Sequence, residues 1–96
     1  MNLTEALEKI EHGGLLGKIY GDGIVGGTDW VKFGGVPTYR NGFTIYPSMS
    51  NFWMVSYLSE PDKRSPERTY RLSSLEGAVE HVFWVMNLWA NRKKEK

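Results

Sequence analysis

Four groups of residues have types and spacings that could do chemistry. Gly21, Gly23 and Gly26 spell GxGxxG behind a short apolar segment. In a dinucleotide-binding fold such glycines let the backbone approach a pyrophosphate at a helix N-terminus. Here the following residues, Gly27 to Phe33, read as another strand, and the P-loop lysine is missing, so the glycines read as turn and strand punctuation. Arg64, Arg68 and Arg71, with Lys63, lie near Tyr57 and Tyr70 and could neutralise phosphates and stack bases. Glu60, Asp62 and Glu67 are interleaved with them, and cross-strand ion pairs on an exposed face explain the same pattern. The histidines, His12 and His81, have no nucleophile, orienting acid or further ligand at a useful spacing; nothing in the sequence pairs them. Glu80 beside His81 points about 100° away on a helix. No catalytic residue, metal site or cofactor is therefore expected, and the chain reads as a non-enzyme. The fourth group, Trp84 and Leu88, belongs to binding rather than catalysis.

What must position these groups is one small domain. The chain has 96 residues, 41% of them apolar and 14% aromatic, with a formal charge of +1 and no cysteine. A chain of this length buries only about 60 to 65% of its unfolded surface, so a partner or second copy would add usefully to its core. Without cysteine there is no disulfide framework, thiol nucleophile or thiolate metal site, and the reducing cytoplasm is the expected compartment. The balanced charge supplies no field to steer nucleic acid or an anionic membrane, which leaves only local patches. The longest strictly apolar run, Val82 to Met86, is far too short to span a bilayer, and residues 1–5 do not read as a secretory leader.

Leu3, Ala6, Leu7 and Ile10 mark one helical face, Asn2 and Glu5 form a capping-box pair, and Gly13 and Gly14 supply a stop, so a helix is expected over 3–12. Ten of the eleven glycines lie between Gly13 and Gly42, and they divide residues 13–46 into short strands and turns. From Phe52 to Ser59, Trp53, Val55 and Tyr57 alternate with Met54, Ser56 and Leu58, the pattern of a strand. Glu67 to Leu72 alternates again after a polar loop, and the two segments read as a hairpin over 52–72.

Ser73 and Glu76 form a second capping-box pattern, and residues 74–91 read as a long helix followed by a basic tail over 92–96. Leu75, Ala78, Val79, Val82, Val85, Met86, Trp89 and Ala90 share one broad face that should cover the sheet. Measured from Leu75, Trp84 and Leu88 lie at roughly 180° and 220°, on the side of Gly77 and His81. A helix apolar on two sides needs two partners. The second is another segment of the monomer folded over Trp84, a second copy of the chain, or a different protein; exposed tryptophan is a common binding hot spot.

Two resemblances follow from these segments. The order helix, strands, helix resembles the double-stranded RNA-binding domain in outline, but that family places lysines at the start of its last helix, where this chain has Ser73, Ser74, Leu75, Glu76 and Gly77. The stretch Trp53-Met-Val55-Ser-Tyr57-Leu-Ser59-Glu60, and after the loop Glu67-Arg-Thr-Tyr70-Arg-Leu72-Ser73-Ser74-Leu75-Glu76-Gly-Ala78, resembles the hairpin-helix core of small bacterial immunity proteins that neutralise polymorphic toxins. Phage-encoded inhibitors of host defence are similar in size and style. Many immunity proteins are acidic, to cover a basic nuclease site; this chain is near neutral.

The expectation is an α+β domain: a mainly antiparallel sheet of four or five strands, a short N-terminal helix at its edge and a long C-terminal helix across it. The resemblance implies a non-enzymatic inhibitor of a protein partner, either a toxin or a defence effector, and the helix face and hairpin supply the expected contact residues Trp84, Leu88, His81, Tyr57 and Arg68. Homodimerisation through the C-terminal helix is a further expectation. The alternative is a nucleotide, anion or nucleic-acid module. In it, backbone N–H groups around Gly21, Gly23 and Gly26 would act with Arg64, Arg68 and Arg71.

Overall fold

The computed structural model describes residues 1–58 and 68–94. Arg64 and the rest of the polar loop lie outside these residues. Helix α1 spans Leu3–His12. The Asn2 side chain accepts from the Glu5 N–H at 2.8 Å and Glu5 accepts in return from the Asn2 N–H at 3.2 Å, so the capping box closes as its spacing predicts. Ala6 and Ile10 are fully buried beneath it.

Seven strands follow among the described residues: β1 (Leu16–Tyr20), β2 (Gly23–Gly27), β3 (Asp29–Phe33), β4 (Val36–Arg40), β5 (Gly42–Pro47), β6 (Trp53–Leu58) and β7 (Arg68–Leu72). Five of them form one antiparallel sheet in the order β1-β2-β5-β6-β7. Strands β3 and β4 form a separate hairpin. Its turn residues Gly34 and Gly35 have φ of 60° and 81°, the left-handed pair that a two-residue hairpin loop needs. At the hairpin's base, the Thr28 N–H donates to the Arg40 carbonyl at 3.0 Å and Asn41 Nδ2 donates to Thr28 Oγ1 at 3.1 Å.

Helix α2 spans Leu75–Lys94 and packs on β6 and β7, while α1 packs on β1 and against α2. The core lies between this helical layer and the inward face of the sheet. Ile24, Phe43, Ile45, Val55 and Tyr57 meet Leu75, Ala78, Val79, Val82, Val85 and Met86 there. Because strand side chains alternate, Val55 and Tyr57 point inward, whereas Ser56 and Thr69 bond to each other on the outer face at 3.1 Å.

The α+β architecture is the one expected, with three local corrections. The α2 N-cap is Ser74, whose Oγ accepts from the Gly77 N–H at 3.0 Å, one residue later than the Ser73–Glu76 spacing suggests. The helix continues to Lys94, beyond the expected end at 91. Ala90, placed in the core stripe, is exposed. Trp84 and Leu88 remain exposed at 57% and 40%, so no described segment of the monomer folds over them.

Candidate functional site

The site grows from the cross-strand pairs Tyr57–Arg68 and Val55–Tyr70, which bring Tyr57, Arg68 and Tyr70 to the sheet face beneath α2. Tyr57 is 2% exposed, and its ring meets Tyr70 and Trp89 edge to face, each at a centroid distance of 6.0 Å. Its hydroxyl lies 2.6 Å from His81 Nδ1. Burial pushes the Tyr57 phenol well above its ordinary value, with Tyr70 adding to the effect, and burial lowers His81. Both groups are thus favoured in their neutral forms, and the tautomer of the imidazole sets which of the two atoms donates.

His81 also packs against Tyr70 at 4.4 Å and carries Trp84 at 5.5 Å with the planes at 60°. The order from core to surface is thus Tyr57, His81, Trp84. Beside this stack Tyr57, Arg68, Tyr70, Trp84, Leu88 and Trp89 line a depression of about 260 Å³. Exposed Arg68 reaches the Tyr70 hydroxyl at 3.4 Å and puts a cation at the rim. What the arrangement offers chemically is a tryptophan held by packed rings, a hollow of mixed polar and apolar lining, and one positive charge. Among the described residues no group of three His, Asp or Glu converges to hold a metal, and no nucleophile meets the Tyr57–His81 pair.

Four of the five contact residues expected from sequence, Trp84, Leu88, His81 and Arg68, come together here. Tyr57 is corrected from a surface contact to a buried support, because its strand position points it under α2. His81 is corrected as well: it has a partner, one that lies 24 residues away in sequence. Tyr70 and Trp89 join them, although neither belongs to the contact set expected from sequence. Alternation puts Tyr70 on the strand face of Arg68, where it reads only as a stacking ring for nucleic acid, and Trp89 reads as core but is half-buried.

Among the described residues the glycine-arginine set does not assemble. Gly21 sits in the β1–β2 turn at φ 59°, whereas Gly23 and Gly26 lie within β2, an interior strand whose N–H groups pair with neighbouring strands. Strand β7 is three strands away from β2, roughly 14 Å at ordinary spacing. Arg71 points to the face opposite Arg68, with its guanidinium 4.9 Å from the centre of the Phe52 ring.

The half-buried imidazole makes stability depend on pH. Its pKa is lowered by folding, so the unfolded chain binds the proton more readily, and stability must fall as pH drops below the ordinary value of 6.5. Its hydrogen-bond partner is Tyr57 and its ring neighbours are Tyr57, Tyr70 and Trp84, and no carboxylate among the described residues pairs with it. Urea midpoints at neutral and at mildly acidic pH should therefore differ more in the wild type than in His81→Gln. Equal differences would assign the acid sensitivity elsewhere.

Fold and face together define the class: a two-layer α+β domain with a five-stranded antiparallel sheet and an exposed aromatic anchor on its long helix. No protein-family model, curated protein or solved structure matches the chain. Among the described residues no helix is long and apolar enough to cross a membrane.

Proposed function

We propose that this protein is a non-enzymatic binder that inhibits a protein partner, such as a toxin or a defence effector, by seating it on the Trp84–Leu88 face. The observation that carries the reading is the 57% exposure of Trp84 on a ring stack anchored by the Tyr57–His81 bond. A large apolar side chain held in place loses little entropy on binding, which is the property of an interface hot spot. The hollow beside it, of mixed lining, receives a side chain of the partner, and Arg68 donates to a neighbouring carboxylate. The stretch that resembles small immunity proteins includes Arg68 and runs into the first turn of α2 at Ala78, and Trp84 and Leu88 follow it on the same helix.

The test places a benzophenone amino acid at Leu88, crosslinks in cells of the native host, and identifies the product by mass spectrometry. The captured protein is then assayed with wild type and with Trp84→Ala. Wild type should suppress its activity, and Trp84→Ala should bind it at least about 30-fold more weakly while its own unfolding shifts by no more than about 0.5 kcal/mol. Crosslinks solely to a second copy of the chain would replace the inhibitor by a homodimer. Suppression that survives Trp84→Ala would also defeat the proposal.

A further inference from the structure

On the outer face of the sheet, away from both helices, the β3–β4 hairpin encloses a second hollow of about 360 Å³. Its floor is one row of the sheet, Lys18–Val25–Thr44–Ser56, fixed by the pairing of β1, β2, β5 and β6. Its walls are aromatic and apolar: Trp30 and Tyr39 from the hairpin, Tyr20 from β1 and Leu58 from β6. Trp30 and Tyr39 brace each other edge to face at 4.7 Å, and the hydrogen bonds of Thr28 and Asn41 fix the hairpin's base. The wall is therefore built from a structured element rather than a loop.

Three properties separate this hollow from a gap in packing. Its volume lies within the range of small-molecule pockets, near the lower end, with room for one ring system and a substituent. Trp30 and Tyr20 remain 51% and 71% exposed where they border it, so large aromatic surface is left facing water. Among the described residues, the Lys18 ammonium and the Thr44 hydroxyl have no side-chain hydrogen bond or ion pair. A small apolar hollow with one unpaired cation and a free hydroxyl matches a flat ring that bears one anionic group. The rings of Tyr20, Trp30 and Tyr39 take the flat face, Lys18 takes the charge, and Thr44 takes a ring heteroatom. A dinucleotide is too large, and a polyanion would find a single cation.

We propose that this cleft is a ligand site for a planar aromatic compound carrying a single anionic substituent, a nucleoside monophosphate or an aromatic carboxylate. It is distinct from the Trp84 face, which lies across the sheet on α2, and it does not depend on that face binding anything.

The test titrates the intact protein with AMP and with indoleacetate, and follows backbone and indole N–H signals by NMR. Adenosine, inorganic phosphate and acetate serve as half-ligand controls. One of the two ring-plus-anion compounds should bind with a Kd on the order of tens of micromolar, as expected for a ligand of this size, and should move the Trp30 indole and the β1–β5 floor. Lys18→Gln, a change at an exposed position, should weaken it about tenfold, as should loss of the anion in adenosine. Trp84→Ala should leave it unchanged, so failure here and failure of the inhibitor reading are separable. AMP alone binding identifies a phosphorylated ligand; indoleacetate alone identifies a carboxylate. No saturation by either compound at about 100 times the expected Kd would overturn the site, and so would binding that ignores Lys18→Gln or moves signals only on α2.

Discussion

Gly26→Ala should destabilise the protein by about 3 kcal/mol, at the upper end for overpacking, although Gly→Ala in a strand ordinarily stiffens the unfolded chain and helps by ~0.4–1 kcal/mol. A Cβ at position 26 would lie 2.7 Å from Phe43 Cζ and 3.0 Å from the Gly17 Cα, and would collide with the Leu16 carbonyl oxygen. Two of these three neighbours are backbone of the adjacent strand β1, so relief requires β1 and β2 to part. Phe43 is 2% exposed and cannot swing away without opening the core. Gly21→Ala is the control: at φ 59° with nothing within 4 Å of the new carbon, it meets only the left-handed penalty of ~1–2 kcal/mol. Urea unfolding followed by tryptophan fluorescence reads the difference. For a domain whose total stability is about 5 to 10 kcal/mol, the Gly26→Ala midpoint should fall by roughly 2 M with little change in slope. A Gly26→Ala midpoint equal to that of Gly21→Ala would remove close strand packing as the reason for this glycine.

The same residues show why the GxGxxG pattern misleads. Gly21 makes the turn, and the odd spacing between Gly23 and Gly26 sets them on opposite faces of β2, each where a neighbour comes close. Local patterns are legible: the Asn2–Glu5 box and the glycines after His12 bound α1, and the alternation of Trp53, Val55 and Tyr57 marks β6, while which of its faces turns inward is decided by the packing of α2. The 100° arithmetic placed Trp84 and Leu88 on the outer side of α2, where they are exposed. What escaped was either weakly patterned or non-local. Val36–Arg40 has no clean alternation and contains Pro37, so β4 was invisible until paired with Trp30 and its neighbours. The Tyr57–His81 bond joins β6 to α2 across the core, and no short-range spacing encodes it. The outer cleft draws its lining from β1 through β6, which only the sheet order brings together.

Tyr57→Ala should cost about 3 to 5 kcal/mol, whereas Tyr57→Phe should cost only about 1 kcal/mol. The alanine variant removes a ring that is 2% exposed and touches Tyr70, His81 and Trp89, and neither the strand nor the helix can close the space without moving the other. The phenylalanine variant keeps those ring contacts and deletes one hydrogen bond; His81 Nδ1 then loses its partner, but the half-buried ring can still reach water. Thermal and urea unfolding of the two variants measure the gap. Equal losses would mean that the hydroxyl, not the ring, dominates, and that the aromatic stack is not core. The pair also separates fold from function. Tyr57→Phe remains folded but leaves His81, and with it Trp84, held by packing alone. Its affinity for a partner on the Trp84 face should then lie between wild type and Trp84→Ala, because the anchor is present but less rigidly placed. A full loss of binding in folded Tyr57→Phe would make the hydrogen bond itself the organiser of the face; unchanged binding would show that the Tyr70 and His81 rings suffice to position Trp84.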